Sequence, residues 1–385
     1  MSYETHMPSI LQIGGGSKSN IGAVAARFGI KKALLVSDKF IESTGVTTVV
    51  SDILKSSGVE SVIFTDINNE PETGNVNNAL LVLKQADCDG VISLGGGSCI
   101  DTAKAVSVLA LNDGEISDYM GIGKVPGSGL VHIAVPTTAG TGSEVTRVTI
   151  VTDPVKNIKM MCLDDAFLPS AAIVDYELSM TMPKKLTAYV GIDALTHAIE
   201  AYVSRKANPV SDIFAEKAIS LINSSILEAF SSPDDKSARA MMMEGATFAG
   251  IAFSNASVCA VHGMSRPIGA YFHVAHGLSN AMLLAVVTEN SVSGNPERYS
   301  EISRIMKLGG SEQKELIDNL ISRLYELNSL MNIPGPTAYG IERDKYFNLI
   351  PDMADAAIAS GSPSNNPKLF SKEEIAELYK KVYDA

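Results

Sequence analysis

The feature that most constrains the fold is an alternation. Five short apolar runs, KKALLVSD (31–38), SVIFTDI (61–67), CDGVISLGGGS (88–98), LVHIAVPTT (130–138) and AAIVD (171–175), recur through the first half of the chain. Between them lie stretches such as NVNNALLVLKQADC and CIDTAKAVSVLALN, whose apolar residues fall at helical spacing. Strands separated by helices pair in parallel, because each helix returns the chain to the edge from which the strand started. The expectation is a mostly parallel sheet with helices on both faces.

That rhythm stops near residue 182. VSDIFAEKAISLINSSILEAF (210–230) sets Val210, Ile213, Phe214, Ala218, Leu221 and Ile222 on one helical stripe. ELIDNLISRLYELNSLM (315–331) repeats the pattern and stops short of Pro334. SKEEIAELYKKVYDA closes the chain with Ser371 and Glu374 at capping-box spacing. The reading is an α/β domain over 1–182 and a helical domain over 183–385, with Pro183 at the joint. Hydrophobic residues are 45% of the 385, enough to give each domain a core.

Charge removes some functions. The net charge of -12 argues against a nucleic-acid binder, whose phosphate contacts need a basic face. No apolar run reaches the roughly 18 residues of a membrane span, and MSYETHMPSILQIGGG lacks the basic start and apolar stretch of a secretory signal. Cys88, Cys99, Cys162 and Cys259 form no CxxC pair, which points to neither a thiolate zinc site nor a redox pair. Scattered cysteines suit a reducing compartment, so the expected location is cytoplasmic.

DGVISLGGGSCIDTAKAV reads as strand, glycine run and helix. Gly95, Gly96 and Gly97 let the backbone turn tightly, and the helix start near Ser98 offers N–H groups to a phosphate. The spacing is not GxGxxG, so a plain βα turn is an equal reading. Asp38 ends the first clear strand, where an acid either accepts from an adenosine ribose or caps the next helix. VPTTAGTGSEVTR (135–147) brings the hydroxyls of Thr137, Thr138, Thr141 and Ser143 to a second loop after a strand. Both loops fall at strand carboxyl ends, where open α/β sheets bind ligands.

GIDALTHAIEAYVS (191–204) reads as a helix on which Asp193 and His197 share a face, about 5–6 Å apart at Cβ. Taken alone, the pair reads first as an ordinary i,i+4 ion pair. HGMSRPIGAYFHVAHG (262–277) adds His262, His273 and His276. On one straight helix His262 and His276 would stand about 21 Å apart along the axis. They can share a cation only if the chain turns between them, and Pro267 and Gly269 sit where a break is needed. His273 and His276 are the alternative pair, with a packing role for His273 equally open. His132, inside LVHIAV, reads as a buried strand histidine, and His6 has no evident role. A histidine-rich site with one carboxylate suits Fe²⁺ or Zn²⁺ rather than Mg²⁺ or Ca²⁺.

Taken together, GGGSCIDTAK (95–104), PTTAGTGSEVT (136–146), GIDALTHAIEAY (191–202), the HG…HG of 262–277 and SGSPSNNPK (360–368) resemble an iron-containing (group III) alcohol dehydrogenase. The resemblance implies a dehydroquinate synthase-like fold: an α/β Rossmann-like N-terminal domain, an all-α C-terminal domain and a cleft between them. It implies metal ligation by Asp193, His197, His262 and His276, with His262 and His276 serving catalysis through the ion. Gly96, Gly97 and Ser98 would hold the pyrophosphate of NAD, with Thr137, Thr138 and Lys159 also near the dinucleotide. Asp38 would take the adenosine ribose, and Asp101 of GGGSCIDTAK joins the cofactor set.

Two positions leave the family pattern. Arg266 stands where many members carry a second histidine credited with proton relay, a role that a permanently protonated guanidinium fills poorly. Glu70 stands where an asparagine often faces the cofactor. The implied function is NAD(H)-linked, Fe²⁺-dependent (alternatively Zn²⁺-dependent) interconversion of a small alcohol or diol with its aldehyde or ketone. The alternatives are a glycerol dehydrogenase-like polyol oxidoreductase or a dehydroquinate synthase-like lyase. The implied partners are the small substrate and further copies of the chain, as a homodimer or higher homo-oligomer, with no nucleic acid and no membrane.

Overall fold

The computed structural model describes residues 2–67, 70–156 and 158–384. Its internal contacts divide the chain into two compact units, one spanning His6–Thr181 and the other comprising the segment before His6 together with the chain from Met182 onward.

The first unit holds nine strands among the described residues: β1 (Ile10–Ile13), β2 (Lys32–Val36), β3 (Glu60–Phe64), β4 (Gly90–Gly95), β5 (Gly121–Ile122), β6 (Val131–Pro136), β7 (Val148–Asp153), β8 (Ile158–Leu163) and β9 (Ala171–Val174). Six form a sheet in the order β1-β9-β6-β4-β2-β3, and every pairing in it is parallel. Successive residues of a strand face opposite ways, and the core divides accordingly. Leu34, Val36 and Val91 pack with Val76, Leu83, Ala103 and Val106 of the helices Thr73–Gln85 and Gly97–Leu109. Ala33, Leu35, Ile92 and Leu94 pack with Ile21, Val24, Val50 and Leu54 of the helices Ile21–Arg27 and Val46–Ser56. Strands covered on both faces read as unbroken apolar runs. Each fully buried Leu, Ile or Val contributes about 1.5–3 kcal/mol.

The expected α/β sheet is present, with additions. β1 extends it at one edge by pairing with β9. β5, β8 and β7 make a second sheet that was not expected, with β7 and β8 antiparallel. Alternate residues of β7 are buried, but two of these are the polar Thr149 and Asp153 while the apolar Val148 and Ile150 are half-exposed, so no clean apolar pattern marks it.

The strand order reverses at β2. Its neighbour is β3 on one side and β4 on the other. The carboxyl ends of β2 and β4 therefore flank a topological switch point, where such sheets open a crevice. Asp38 follows β2, and the glycine run follows β4.

The second unit is helical. Its main helices are Lys184–Val203, Pro209–Ser231, Lys236–Ala256, Ala260–Phe272, His276–Ser291, Pro296–Ile305, Gln313–Leu330, Arg343–Ala359 and Lys372–Asp384. Side chains cap several of its helices, and the capping box expected at Ser371 and Glu374 is formed. Asn208 Oδ1 accepts from the N–H groups of Val210 and Ser211 ahead of Pro209 at the first helical position. The N–H of Ser371 donates to Glu374 at 2.9 Å and the N–H of Glu374 to Ser371 Oγ at 3.2 Å, a reciprocal capping box. No described helix is long and apolar enough to cross a membrane.

The turn between His262 and His276 falls elsewhere than expected. The helix runs through Pro267 and Gly269 to Phe272. Pro267 lacks the N–H that would reach the Gly263 carbonyl, and the helix tolerates that one missing bond. The chain turns at His273, which adopts the left-handed conformation at φ 54°, and the next helix opens at His276. The His273 side chain is exposed and its backbone carbonyl accepts from Tyr339, so its part is to turn the chain rather than to pack.

Candidate metal centre and cofactor loop

Asp193 and His197 lie one turn apart on Lys184–Val203, His262 is the third residue of its helix, and His276 is the first of the next. One ligand atom from each lies within 4.8 Å of all the others. His262 Nε2 stands 3.5 Å from Asp193 Oδ1, and His276 Nε2 3.9 Å from the same oxygen. The expected i,i+4 pair and the two distant histidines thus converge, while His273 stays outside.

The glycines after the two histidines explain how the helices come so close. A Cβ on Gly277 would stand 2.7 Å from the Tyr189 carbonyl oxygen and 3.4 Å from Asp193 Cβ. A Cβ on Gly263 would stand 2.7 Å from Pro363 Cδ, in the SGSPSNNPK segment. Each HG pair is a histidine of the cluster followed by the residue that lets its helix approach.

Asp193, His197 and His262 are buried, whereas the His276 side chain is 42% exposed and gives the cluster its open side. The His197 ring stacks between Phe253 and His262, at centroid distances of 4.2 and 4.4 Å. Burial would raise the Asp193 carboxyl, but the charges of His197 and His276 and the hydrogen bond from His262 hold it well below the usual carboxylate range. Burial pulls the His262 ring down, yet its bonds with Asp193 and Glu200 outweigh it and lift it to about 8.

Glu200 was not anticipated. It is buried on the same helix as Asp193 and His197 and lies 2.7 Å from His262 Nδ1. It also accepts from the N–H groups of Cys259 (2.8 Å) and Val261 (2.6 Å). A carboxylate on one ring nitrogen fixes the tautomer and aims the other nitrogen at the cluster. The signal was available: Glu200 follows Asp193 by seven residues, two helical turns along one face. Burial lowers the Arg266 guanidinium, and the negative charge of Glu200 opposes that shift. Arg266 is thus in the field of the carboxylate that orients His262.

In the α/β unit, Gly95 ends β4 and Gly97 begins the next helix, with Gly96 at the N-cap bringing no side chain to its N–H groups. The second loop lies against this turn. The Thr137 N–H donates to the Gly95 carbonyl at 3.0 Å. A Cβ on Gly96 would stand 3.4 Å from Thr138, and one on Gly97 3.0 Å from Thr141. Asp38 caps the helix Lys39–Ser43 by accepting from the Ile41 N–H at 2.9 Å, and its other oxygen lies 3.5 Å from Cys99 Sγ.

Other members of the expected cofactor set face inward. Asp101 accepts from Ser143 Oγ at 2.5 Å and from the Ile150 N–H at 3.0 Å. Fully buried Lys104 donates to Ser143 Oγ, Thr146 Oγ1 and the Val148 carbonyl. Burial lowers Lys104 to about 8, against the pull of Asp101 and Glu144. Lys159 pairs with Glu70 at 2.7 Å, which joins two residues that had been considered separately. His132 is a buried strand histidine, as expected, 2.8 Å from Ser93 Oγ.

Comparison with known proteins matches both units. The family model for iron-containing alcohol dehydrogenase covers residues 8–176, and that for the Fe-containing alcohol dehydrogenase family, C-terminal, covers residues 187–383. The NAD-dependent methanol dehydrogenase of Bacillus methanolicus is 34% identical over 97% of this chain and 98% of its own. The NADPH-dependent butanol dehydrogenase of Clostridium saccharobutylicum is 35% identical over 92% of each. A crystal structure of 1,3-propanediol oxidoreductase superposes with a TM-score of 0.96 at 32% identity, over 99% of this chain and 100% of that one.

Proposed function

We propose a function from one premise: this chain belongs to the iron-containing alcohol dehydrogenase family. It is a metal-dependent, NAD(H)-linked alcohol dehydrogenase that interconverts a small alcohol or diol with its aldehyde or ketone. The observation that carries this reading is the convergence of three imidazoles and one carboxylate on one point, with Glu200 fixing the tautomer of His262. That donor set fits Fe²⁺, or alternatively Zn²⁺.

Asp193, His197, His262 and His276 are the proposed ligands. A bound divalent ion supplies Lewis acidity toward the substrate oxygen, which favours loss of the alcohol proton in one direction and hydride addition in the other. The protein's own part is to hold that centre. Asp193 provides the negative charge, Glu200 keeps Nε2 of His262 turned inward, and the exposed side of His276 leaves room for a substrate. His262 and His276 are catalytic in this sense.

Cofactor binding is proposed at the switch point. The N–H groups of Gly96, Gly97 and Ser98 face the pyrophosphate, and Gly95 makes the turn. Thr137, Thr138 and Thr141 add hydroxyls, Lys159 supplies a positive charge tempered by Glu70, and Asp38 meets the adenosine ribose. Asp101 and Ser143 brace the two loops from behind. The two domains, 1–182 and 183–385, divide these tasks. A homodimer or larger homo-oligomer in the cytoplasm completes the proposal.

The test mixes Fe²⁺- or Zn²⁺-loaded protein with NAD⁺ and a panel of small alcohols and diols, and follows absorbance of the reduced nicotinamide. Turnover with at least one alcohol is expected, and silence across the panel with both metals would overturn the reading. His262→Ala should lose both metal and turnover. Full metal occupancy in that variant would refute the ligand assignment.

A further inference from the structure

We propose that Asn280 is a fifth donor of the metal centre, presenting its amide oxygen to the ion. The inference rests on the four-ligand reading given above.

Asn280 follows His276 by four residues, so the two side chains share a helix face. It is completely buried. Its Nδ2 stands 2.6 Å from Asp193 Oδ1, 3.1 Å from His262 Nε2 and 3.2 Å from His276 Nε2. Three of the four candidate ligand atoms therefore point at this one nitrogen. An amide nitrogen has two hydrogens and cannot satisfy three acceptors. The atoms converge there because they are arranged for a cation, and the N–H groups occupy the place of its positive charge. The other end of the amide is equally informative. Asn280 Oδ1 is buried and, among the described residues, has no hydrogen-bond partner.

A cation among the ligands reverses the preference. An N–H aimed at a divalent ion is repelled, whereas the lone pairs of an amide oxygen are attracted. Rotation of the terminal amide by half a turn exchanges the two atoms with almost no change in shape. The position that Nδ2 then takes is the one where Oδ1 now has no donor, so the exchange breaks no hydrogen bond there. The resulting set is three nitrogens and two oxygens. Five donors exceed the four that hold zinc in tetrahedral sites and suit an ion that accepts five or six, as ferrous iron does.

The test uses Co²⁺ as a spectroscopic stand-in, with affinity measured by equilibrium dialysis and coordination by the visible d–d bands. Asn280→Leu has nearly the same volume, no donor and no room for a replacing water. Asn280→Asp keeps an oxygen. The leucine variant should bind Co²⁺ at least about tenfold more weakly than wild type, with the stronger bands of a four-coordinate ion. The aspartate variant should recover both affinity and the wild-type band intensity. Equal affinity and identical bands in wild type and Asn280→Leu would overturn the proposal while leaving the four-ligand reading intact. Failure of the wild-type protein to bind Co²⁺ at all would instead overturn the metal reading itself. Asn280→Ala repeats the comparison with a smaller side chain, and thermal unfolding of each metal-free variant checks that it is folded.

Discussion

In the α/β unit, Lys104 Nζ donates to three oxygens at 2.7–3.0 Å, and both oxygens of Asp101 accept a hydrogen bond. In the helical unit, Asp193 stands among three histidines and one amide, three ligand atoms crowd a single N–H₂ group, and a buried oxygen goes unanswered. Both clusters are mostly buried and both mix charges, but the first is closed on itself. A closed network stiffens what it connects, here the helix after the glycine run and the loop through Ser143 and Thr146. The second leaves a buried amide oxygen without a partner among the described residues. Burial and perturbed titration occur in both clusters, so neither property separates a brace from a site. The separating property is whether the partners already present account for every donor and acceptor.

The strongest way to break that contrast is to open the closed cluster. Lys104→Met leaves Asp101 buried without its cation, and a loss of about 3–5 kcal/mol at neutral pH is expected from denaturant unfolding. The pH dependence gives a second handle. Lys104 is lowered from 10.5 to about 8, so the folded protein holds this proton more weakly than the unfolded chain does. Raising the pH from 8 to 10.5 therefore favours the folded state. At about 1.4 kcal/mol per pH unit the wild type should gain roughly 3 kcal/mol over the methionine variant across that window. A flat difference would mean that Lys104 is not desolvated as the network requires.

Next in size is a change that loosens the open cluster without touching a ligand. Glu200→Gln leaves one acceptor oxygen where His262 and two backbone N–H groups now use two. Metal affinity should fall about 10–100-fold, measured by dialysis, with a smaller change in the melting temperature of the metal-free protein. If stability drops and affinity does not, Glu200 is a brace of the Lys104 kind and the contrast fails at this residue.

Much of the architecture was legible because buried parallel strands are continuous apolar runs and the helices carry local caps such as Asn208 and Ser371. The hairpin of β7 and β8 was less so, since β7 buries the polar Thr149 and Asp153 and half-exposes the apolar Val148 and Ile150. The four convergent residues were identified by motif, but their geometry was misread in one respect. Pro267 was expected to break the helix, and the turn came from His273 in a left-handed conformation that no local signal demands. Glu200 and Asn280 stood in plain view at helical spacing from named residues. They passed unremarked because their importance depends on which atoms face one another across different helices, and one sequence does not contain that information. Arg266, by contrast, was marked as a departure from a pattern, and the structure places it in the field of Glu200.

Asp38 sits between the two kinds of cluster, and the smallest prediction concerns it. One carboxylate oxygen is closed, since it caps the helix Lys39–Ser43 through Ile41. The other has the weak Cys99 thiol at 3.5 Å as its hydrogen-bond partner among the described residues. If the second oxygen faces the ribose of NAD, its charge also repels a 2′-phosphate. Two unit charges about 4 Å apart in water interact by about 1 kcal/mol, and a phosphate carries up to about two. Removing the carboxylate should then raise the NADP⁺ to NAD⁺ ratio of kcat/KM roughly tenfold. Asp38→Gly makes that change but also removes the cap, so its effect is mixed. Asp38→Ser keeps a capping oxygen and removes only the charge. Equal rises in the two variants would assign the effect to repulsion, and a rise in the glycine variant alone would assign it to space. No rise in either would leave Asp38 as a helix cap and nothing more, placing it with the closed cluster.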